Sequence, residues 1–244
     1  MSPVGVPRQL EIKIARKAFR TASGEVREVL REFSTSLAVG KIHVLVGPSG
    51  YGKTTLLRII IGLDRDFAGT VTLQPDTKIG MVFQEPRLLP WRSVLDNLRL
   101  AAPQASEANL LRIATDLGIA GHLRYFPGEL SLGLARRVAL ARAFAVNPSL
   151  LVLDEPFVSL DNVLAMRLGD ELVALVGHTE VTTLLVTHDI DEAIRLADHI
   201  MLLGGRPAKI VADFDIALPR AAMTADYAAK IKAEIGAIIV EAGA

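Results

Sequence analysis

Residues 42–55 read Ile-His-Val-Leu-Val-Gly-Pro-Ser-Gly-Tyr-Gly-Lys-Thr-Thr, and residues 47–54 match the phosphate-loop pattern G-x-x-x-x-G-K-[ST]. The apolar, partly β-branched run before Gly47 favours a buried strand, and residues 53–63 show a helical pattern. A strand that enters and a helix that leaves form the context in which loop N–H groups bind phosphate. A glycine turn that carries a lysine by coincidence would match the same pattern. The strand before this loop and the helix after it favour a nucleoside triphosphate site instead.

The loop pattern assigns roles to two side chains. Lys53 would reach the β- and γ-phosphates, and the Thr54 hydroxyl would hold Mg²⁺. The predicted nucleotide-binding residues of this segment are Gly47, Pro48, Ser49, Gly50, Tyr51, Gly52, Lys53, Thr54 and Thr55.

Two carboxylates follow a second apolar run. Residues 150–153 are Leu-Leu-Val-Leu, and Asp154 and Glu155 come next. Such a run is a strand buried on both faces or a piece of buried helix, and open α/β sheets bind ligands where parallel strands end. Asp154 would hold the metal through its water shell, and Glu155 would orient or deprotonate an attacking water. A solvated loop start is the alternative for an Asp-Glu pair alone, but the upstream phosphate loop favours the catalytic role.

The patterning along the chain predicts an α/β fold. The first 40 residues read as short strands around a polar turn, and residues 86–147 carry Leu, Ala and Arg at helical spacing. Strand-like and helical runs then alternate, which indicates a mostly parallel sheet with helices on both faces. The predicted strands are residues 79–83, 150–153, 183–187 and 199–203, the predicted helices between them are 162–176 and 190–197, and a closing amphipathic helix carries Tyr227, Ile231, Ile235, Ile238 and Ile239.

Composition excludes several classes of protein. Lys plus Arg and Asp plus Glu both number 27, so the balanced charge argues against a nucleic-acid partner. The chain has no cysteine, which excludes disulfides, thiolate metal sites and cysteine nucleophiles. No segment reaches the roughly 18 uncharged apolar residues of a membrane span, and the first residues lack the apolar core of a signal peptide. We therefore expect a soluble, cytoplasmic protein.

Further motifs resemble those of the ATP-binding subunits of ABC transporters, and the resemblance covers nearly the whole chain. Gln84, in Met-Val-Phe-Gln-Glu-Pro, resembles the Q-loop glutamine that approaches Mg²⁺ and the water. Asp161 resembles the D-loop aspartate, and His188 resembles the switch histidine that contacts the γ-phosphate. Phe19 lies where the family carries an aromatic that stacks on adenine, although a lone Phe is more often a core residue. The resemblance implies catalytic roles for Glu155, His188 and Gln84, and metal contacts for Thr54, Gln84 and Asp154.

The family signature Leu-Ser-Gly-Gly-Gln is altered here to Leu-Ser-Leu-Gly-Leu at residues 130–134. In the family this segment completes the ATP site of the opposite subunit, and Ser131 and Gly133 keep the donors for the γ-phosphate. Leu132 replaces a glycine that serves for close approach or for a positive φ. In the second case we expect a strain of about 1–2 kcal/mol.

The resemblance implies a RecA-like P-loop NTPase core with an N-terminal antiparallel β subdomain and an inserted helical subdomain. The predicted parts are a core with its β subdomain over about 1–85 and 148–220, a helical subdomain over about 86–147 and a C-terminal helix over 221–244. The implied function is ATP hydrolysis that powers an ABC importer, with ATP and Mg²⁺ as cofactors. The implied partners are a second copy of the chain, integral-membrane permease subunits and a solute-binding protein, at the cytoplasmic face of the inner membrane.

Two segments narrow the resemblance to importers of nitrate, sulfonates, taurine and similar solutes. They are Arg87-Leu-Leu-Pro-Trp91 and the tail from Gly205-Arg-Pro207 to Leu218-Pro-Arg220. The altered signature leaves open a subunit that binds ATP with weak or no turnover and acts as a regulator or as the partner of a competent ATPase. A soluble ABC-type ATPase of DNA repair or translation and a metabolic phosphate-loop kinase are weaker alternatives, because neither accounts for all the motifs.

Overall fold

The computed structural model describes residues 7–218 and 220–241 of the 244-residue chain. They form two compact units, one within Met1–Pro75 and Leu184–Ala244 and the other within Asp76–Thr183. The strands are β1 (Arg8–Arg20), β2 (Val26–Ala38), β3 (Ile42–Val46), β4 (Ala68–Leu73), β5 (Ile79–Val82), β6 (Leu150–Asp154), β7 (Thr182–Thr187), β8 (His199–Gly204) and β9 (Lys209–Asp215). The α-helices are α1 (Lys53–Ile60), α2 (Val94–Ala101), α3 (Glu107–Asp116), α4 (Leu132–Ala145), α5 (Asn162–Thr179), α6 (Ile190–Leu196) and α7 (Ala225–Glu241).

A three-stranded antiparallel sheet in the first unit has the strand order β2-β1-β4. In its central strand, Ile12 pairs with Thr35 of β2 and with Val71 of β4. Leu10, Ile12 and Ile14 are buried at alternate positions, so β1 turns one apolar side inward. Our prediction of short strands here was wrong, since β1 and β2 each run for 13 residues. The pairing of β1 with β2 continues to Arg20, beyond the alternating apolar residues, because register shifts accommodate the change in pattern.

The first unit also contains the strand that leads into the phosphate loop. All five residues of β3 are buried, as the continuous apolar run predicts. Strand β3 pairs in parallel with β8 in the register Val44↔Ile200, and β9 pairs antiparallel with β8 in the register Ile200↔Phe214. Helix α7 packs on α6, where Lys232 Nζ donates to Asp191 Oδ2 at 2.7 Å.

The second unit combines two parallel strands with a group of helices. Strand β5 pairs with β6 in the register Val82↔Leu153, and α4 packs on α2, α3 and β5. A Cβ on Gly80 would lie 2.5 Å from the carbonyl oxygen of Ala143, so the close approach of α4 to β5 requires glycine there. Strand β7 crosses the boundary between the two units along the chain.

The mostly parallel α/β core and the antiparallel N-terminal sheet are confirmed, with element ends shifted by up to four residues. Strands β4 and β9 have no counterpart among our predictions, because their residues are mostly exposed or half-buried and carry no apolar run. The helix that we predicted over residues 53–63 ends at Ile60. Residues 1–6, Pro219 and residues 242–244, which the predicted parts of the chain include, lie outside the described residues.

Candidate functional site

The phosphate loop runs from the end of β3 to the start of α1. Gly50 and Gly52 have φ values of 81° and 86°, a backbone conformation that glycine adopts without strain. Lys53 is the first residue of α1, is only 5% exposed, and donates from Nζ to the carbonyl oxygens of Gly47 at 2.7 Å and Pro48 at 3.0 Å. The ammonium group is therefore held inside the curve of the loop.

Neighbouring strands of the same unit hold this loop in place. A Cβ on Gly52 would lie 2.6 Å from Val29 Cγ1 of β2, and one on Gly47 would lie 2.9 Å from Leu203 Cβ of β8. The buried Tyr51 ring lies 4.9 Å from the guanidinium of Arg206, in the turn between β8 and β9. This cation–π contact is a feature that our sequence reasoning missed, because nothing in the spacing connects the two segments.

His188 follows β7 and is exposed. The N–H of Gly47 donates to the carbonyl oxygen of Thr187 at 3.3 Å, so the histidine leaves its strand beside the start of the phosphate loop. Its backbone is fixed from the next residue on, since Asp189 caps α6 by accepting from the N–H groups of Asp191 and Glu192. The structure therefore places this predicted residue together with the loop.

Phe19 lies near the end of β1 and is 44% exposed, so the alternative of a core residue is wrong. It pairs with Arg27 of β2, two residues from the Val29 that contacts the phosphate loop, a separation of about 7 Å along a strand. The ring opens on a cleft of about 670 Å³, large enough for a nucleobase and its sugar. The cleft is lined by Arg16, Ala18, Phe19, Arg20, Val26, Asp66, Phe67 and Ala68.

In the second unit, Gln84 and the acidic pair leave adjacent strands. Val82 of β5 is in register with Leu153 of β6, so Gln84 and Glu155 each lie two residues beyond a paired position. Asp154 is buried as the last residue of β6. Glu155 has a φ of 44°, which for a residue other than glycine costs of the order of 1 kcal/mol and is typical of functional positions.

The altered signature forms the start of α4. Ser131 caps the helix, and its Oγ accepts from the N–H of Leu134 at 3.3 Å. A Cβ on Gly133 would lie 2.6 Å from Leu164 Cδ2, so α5 passes close to this helix start. The N–H groups of Leu132 and Gly133 have no carbonyl partner within the helix, as at every helix N-terminus.

Leu132 is the first residue of α4, is 44% exposed, and is not among the described residues with a positive φ. The expected backbone strain at this position is therefore wrong, because a leucine adopts the first helical position freely. Asp161 plays a similar structural part to Ser131, since it caps α5 by accepting from the N–H of Leu164 at 2.9 Å.

Two arginines of α4 bind the main chain around Gln84, and our sequence reasoning missed both. Arg136 is buried and donates to the carbonyl oxygens of Gln84 and, at 3.2 Å, Val158. Arg142 donates to the carbonyl oxygens of Pro86 at 2.8 Å and Arg87 at 2.7 Å. Burial lowers the pKa of both guanidinium groups from its usual value, but at neutral pH they stay protonated. The helix that begins with the signature thus holds the segment after β5.

The phosphate loop of the first unit fits the phosphates of a nucleotide. Open space around Gly50, where a Cβ would meet no atom within 4 Å, leaves the loop backbone accessible to a ligand. The Thr54 hydroxyl in the first unit and the Asp154 carboxylate in the second are each a hard oxygen ligand of the kind that Mg²⁺ prefers. In the described part of the chain no group of three or more His, Asp or Glu side chains is arranged to hold a metal ion.

Comparison with known proteins gives a consistent result. Residues 30–158 match the ABC transporter family. The aliphatic sulfonates import ATP-binding protein SsuB 2 of Burkholderia cenocepacia (strain HI2424) is 41% identical over 224 residues, which cover 88% of this chain and 81% of that protein. The corresponding SsuB 1 of Pseudomonas aeruginosa (strain UCBPP-PA14) is 45% identical over 214 residues, with 82% and 86% of the two chains covered.

A solved structure supports the same assignment. The ATP-binding cassette MJ0796, in a dimeric post-hydrolysis state bound to ADP and Pi, superposes with a TM-score of 0.76 at 26% identity, over 86% of this chain and 100% of that one. None of the helices in residues 7–218 and 220–241 is both long and apolar enough to cross a bilayer. The family match, the relatives and the fold confirm the predicted transport ATPase and do not favour a subunit without turnover: the chain belongs to the ABC transporter family, as one of its ATP-binding proteins.

Proposed function

We propose that this chain hydrolyses ATP to power an ABC importer of organic sulfonates or closely related anions. The observation that carries the ATPase is the buried Lys53 ammonium, bonded to the carbonyl oxygens of Gly47 and Pro48 inside a glycine-rich loop that opens a helix. A lysine in this position is a ready phosphate ligand, because the γ-phosphate can replace the loop carbonyls as its partner.

The residues divide the chemistry between them. Lys53 and the loop N–H groups bind the β- and γ-phosphates, and Phe19 stacks on the base. Glu155 accepts a proton from the attacking water, while Gln84 and His188 orient that water and the γ-phosphate. Mg²⁺, held by Thr54 and, through water, by Asp154 and Gln84, would neutralise charge that develops on the phosphates. The left-handed backbone of Glu155 supports its role, because such positions cluster at functional sites, and the contact of Thr187 with Gly47 supports that of His188 beside the phosphate loop.

We further propose that a second copy of the chain completes each ATP site. The start of α4 supports this arrangement, because Ser131 and the first-turn N–H groups lie at a helix N-terminus, which favours an anion such as a phosphate. Asp161 caps the start of α5 by accepting from the N–H of Leu164, and the Leu164 side chain packs against Gly133 at the start of α4. The dimeric state of the solved relative, which has ADP and Pi bound, is consistent with this proposal.

A surface of the second unit, formed by Trp91, Tyr125 and Phe126, is proposed to bind the permease. All three side chains are exposed, Trp91 by 69%. The N–H of Val94 donates to the carbonyl oxygen of Tyr125 at 2.8 Å, which joins the two segments. Buried Asn97 fixes the Trp91 segment, since its amide bonds to Leu89, Arg92 and Ser93. A rigid aromatic surface suits a cytoplasmic loop of a membrane partner.

The cargo is proposed from the relatives, which are named as aliphatic sulfonate import proteins. A permease and a solute-binding protein would recognise the cargo, and the chain would lie at the cytoplasmic face of the inner membrane. The test is ATP hydrolysis by the complete transporter in liposomes, with an alkanesulfonate, taurine or nitrate added with the solute-binding protein. Stimulation by nitrate alone would contradict a sulfonate importer.

Steady-state Mg-ATP hydrolysis by the purified chain tests the ATPase itself. We expect Lys53→Ala to abolish productive ATP binding, and Glu155→Gln to bind ATP, lose hydrolysis and accumulate as a closed dimer. Lys41→Ala, at an exposed lysine just before β3, is the control and should leave hydrolysis unchanged. Hydrolysis at the wild-type rate by Glu155→Gln would rule out its role as the base.

A further inference from the structure

Lys17 is a buried lysine in the antiparallel sheet of the first unit. Its side chain is 2% exposed, whereas Lys13 on the same strand is 66% exposed. The register of β1 against β4 shifts between Ile14 and Arg16, before Lys17, and an irregularity in a ladder reverses which side chains face inward. A position where an apolar residue would suffice for packing is therefore occupied by a cation.

Two aspartates after α1 compensate the charge. Lys17 Nζ donates to Asp64 Oδ1 at 2.9 Å and to the main-chain carbonyl oxygen of Asp66 at 2.6 Å. The Asp66 carboxylate, 97% exposed, lies 3.6 Å from the same ammonium. Because a buried charge persists only with such partners, these contacts hold the ammonium at one place.

That place is over the ring of Phe19. Lys17 Nζ lies 4.5 Å from the centre of the ring, within the range of a cation–π contact. Phe19 lines the cleft described above, and Asp66 lines it too, but Lys17 does not. An aromatic ring has two faces, and the ammonium covers one of them. A nucleobase can therefore stack only on the other face.

We propose that Lys17 is a positioning residue for the nucleobase: anchored by Asp64 and Asp66, it holds the Phe19 ring with its free face toward the cleft. This inference rests on the proposed function, because it assigns the cleft to the base of the bound nucleotide. Without the ammonium the ring rotates away from this orientation more often, and each ATP that binds must restore it. The triphosphate, which the phosphate loop holds, is unaffected.

The experiment compares the binding of Mg-ATP with that of Mg-tripolyphosphate, which lacks base and sugar, by titration calorimetry on the full chain. In Lys17→Met we expect affinity for ATP to fall about three- to tenfold, the size of one partly desolvated cation–π contact. Affinity for tripolyphosphate should stay within about twofold. Lys13→Met, at the exposed lysine of the same strand, should leave the affinity for both ligands unchanged. Lys17→Gln keeps donors for Asp64 and Asp66 without the charge, and it replaces the Met variant if that variant fails to fold.

A double-mutant cycle with Phe19→Ala separates positioning from structure. If Lys17 acts through the ring, Lys17→Met has no further effect on ATP affinity once Phe19 is removed. Equal losses for ATP and tripolyphosphate, unchanged ATP affinity, or additive effects with Phe19→Ala would each overturn the inference. Failure of the unmodified chain to bind either ligand would refute the proposed function, and the inference with it.

Discussion

Replacement of Arg136 by methionine is expected to destabilise the second unit and to slow hydrolysis more than it weakens nucleotide binding. The guanidinium is buried and donates to the carbonyl oxygens of Gln84, Val158 and, at 3.4 Å, Phe83. A hydrogen bond from a charged group contributes about 1.5–3 kcal/mol, and a buried acceptor without a partner costs about 1–3 kcal/mol. Methionine keeps most of the apolar stem, so the loss arises from the polar head.

Two such bonds, to Gln84 and Val158, lead us to expect a loss of about 3–5 kcal/mol in the free energy of unfolding, measured by urea titration. Arg112→Met is the matched control. Arg112 lies exposed on α3 and pairs with Asp116 at 3.0 Å, one turn away, and such pairs contribute about 0.3–0.5 kcal/mol. A loss below about 1 kcal/mol in Arg136→Met would refute the reasoning, because it would mean that water replaces the guanidinium at no cost.

The same variant tests whether the helix that begins at the signature controls Gln84. If Arg136 holds the Gln84 main chain, its loss lowers kcat, since the side chain that orients the water no longer has a fixed origin. Affinity for ATP, which depends on the phosphate loop, should change by less than about twofold. Equal changes in kcat and in affinity would show a general loss of structure instead. Arg136→Lys keeps a charge but lacks the planar guanidinium, so its kcat should lie between those of the unmodified chain and of Arg136→Met.

Three further predictions concern single positions. Gly80→Ala should lower stability by at least about 2 kcal/mol, because the new Cβ meets the Ala143 carbonyl oxygen, whereas Gly177→Ala in α5, with no atom nearby, should raise it by about 0.5–1 kcal/mol in the same urea titration. Burial lowers the pKa of His43 from 6.5 to about 4, so on acidification the unfolded chain protonates this imidazole before the folded chain does. The free energy of unfolding should therefore fall by about 3 kcal/mol as the pH drops from 6.5 to 4, and His43→Gln should abolish this pH dependence. Leu132→Gly should change the rate of ATP hydrolysis by less than about threefold, since the leucine has no backbone strain to relieve, and a tenfold increase would contradict this.

The parts of the site that could be predicted from the sequence are those whose chemistry is local. Strand β3 and the phosphate loop follow from a continuous apolar run, then glycines, then a helix start, all within about a dozen residues. The position of Asp154 at the end of β6 follows in the same way. In each case the residues that set the backbone are neighbours in the chain, so their pattern is visible without tertiary information.

The features that escaped prediction depend on contacts between distant segments. Arg136 is one of three arginines on α4, and only the packed unit shows that it lies buried against the segment after β5. Lys17 would be assigned to the exposed side of β1 by simple alternation, and the register shift against β4 between Ile14 and Arg16 reverses that assignment. Both are cations whose burial depends on acceptors far away in sequence, namely main-chain carbonyls in one case and Asp64 in the other.

Leu132 shows how a tertiary observation changes the question that a motif raises. From the sequence alone, its replacement of a glycine is either a matter of backbone angle or a matter of space. The structure removes the first possibility, because the residue opens α4 with an ordinary helical backbone and an exposed side chain. Any effect of Leu132 on turnover must then come from the volume of its side chain against whatever covers the start of α4, which in the proposed dimer is the nucleotide held by the second copy. The expected change of less than about threefold in Leu132→Gly means that this exposed side chain does not obstruct closure of the proposed dimer.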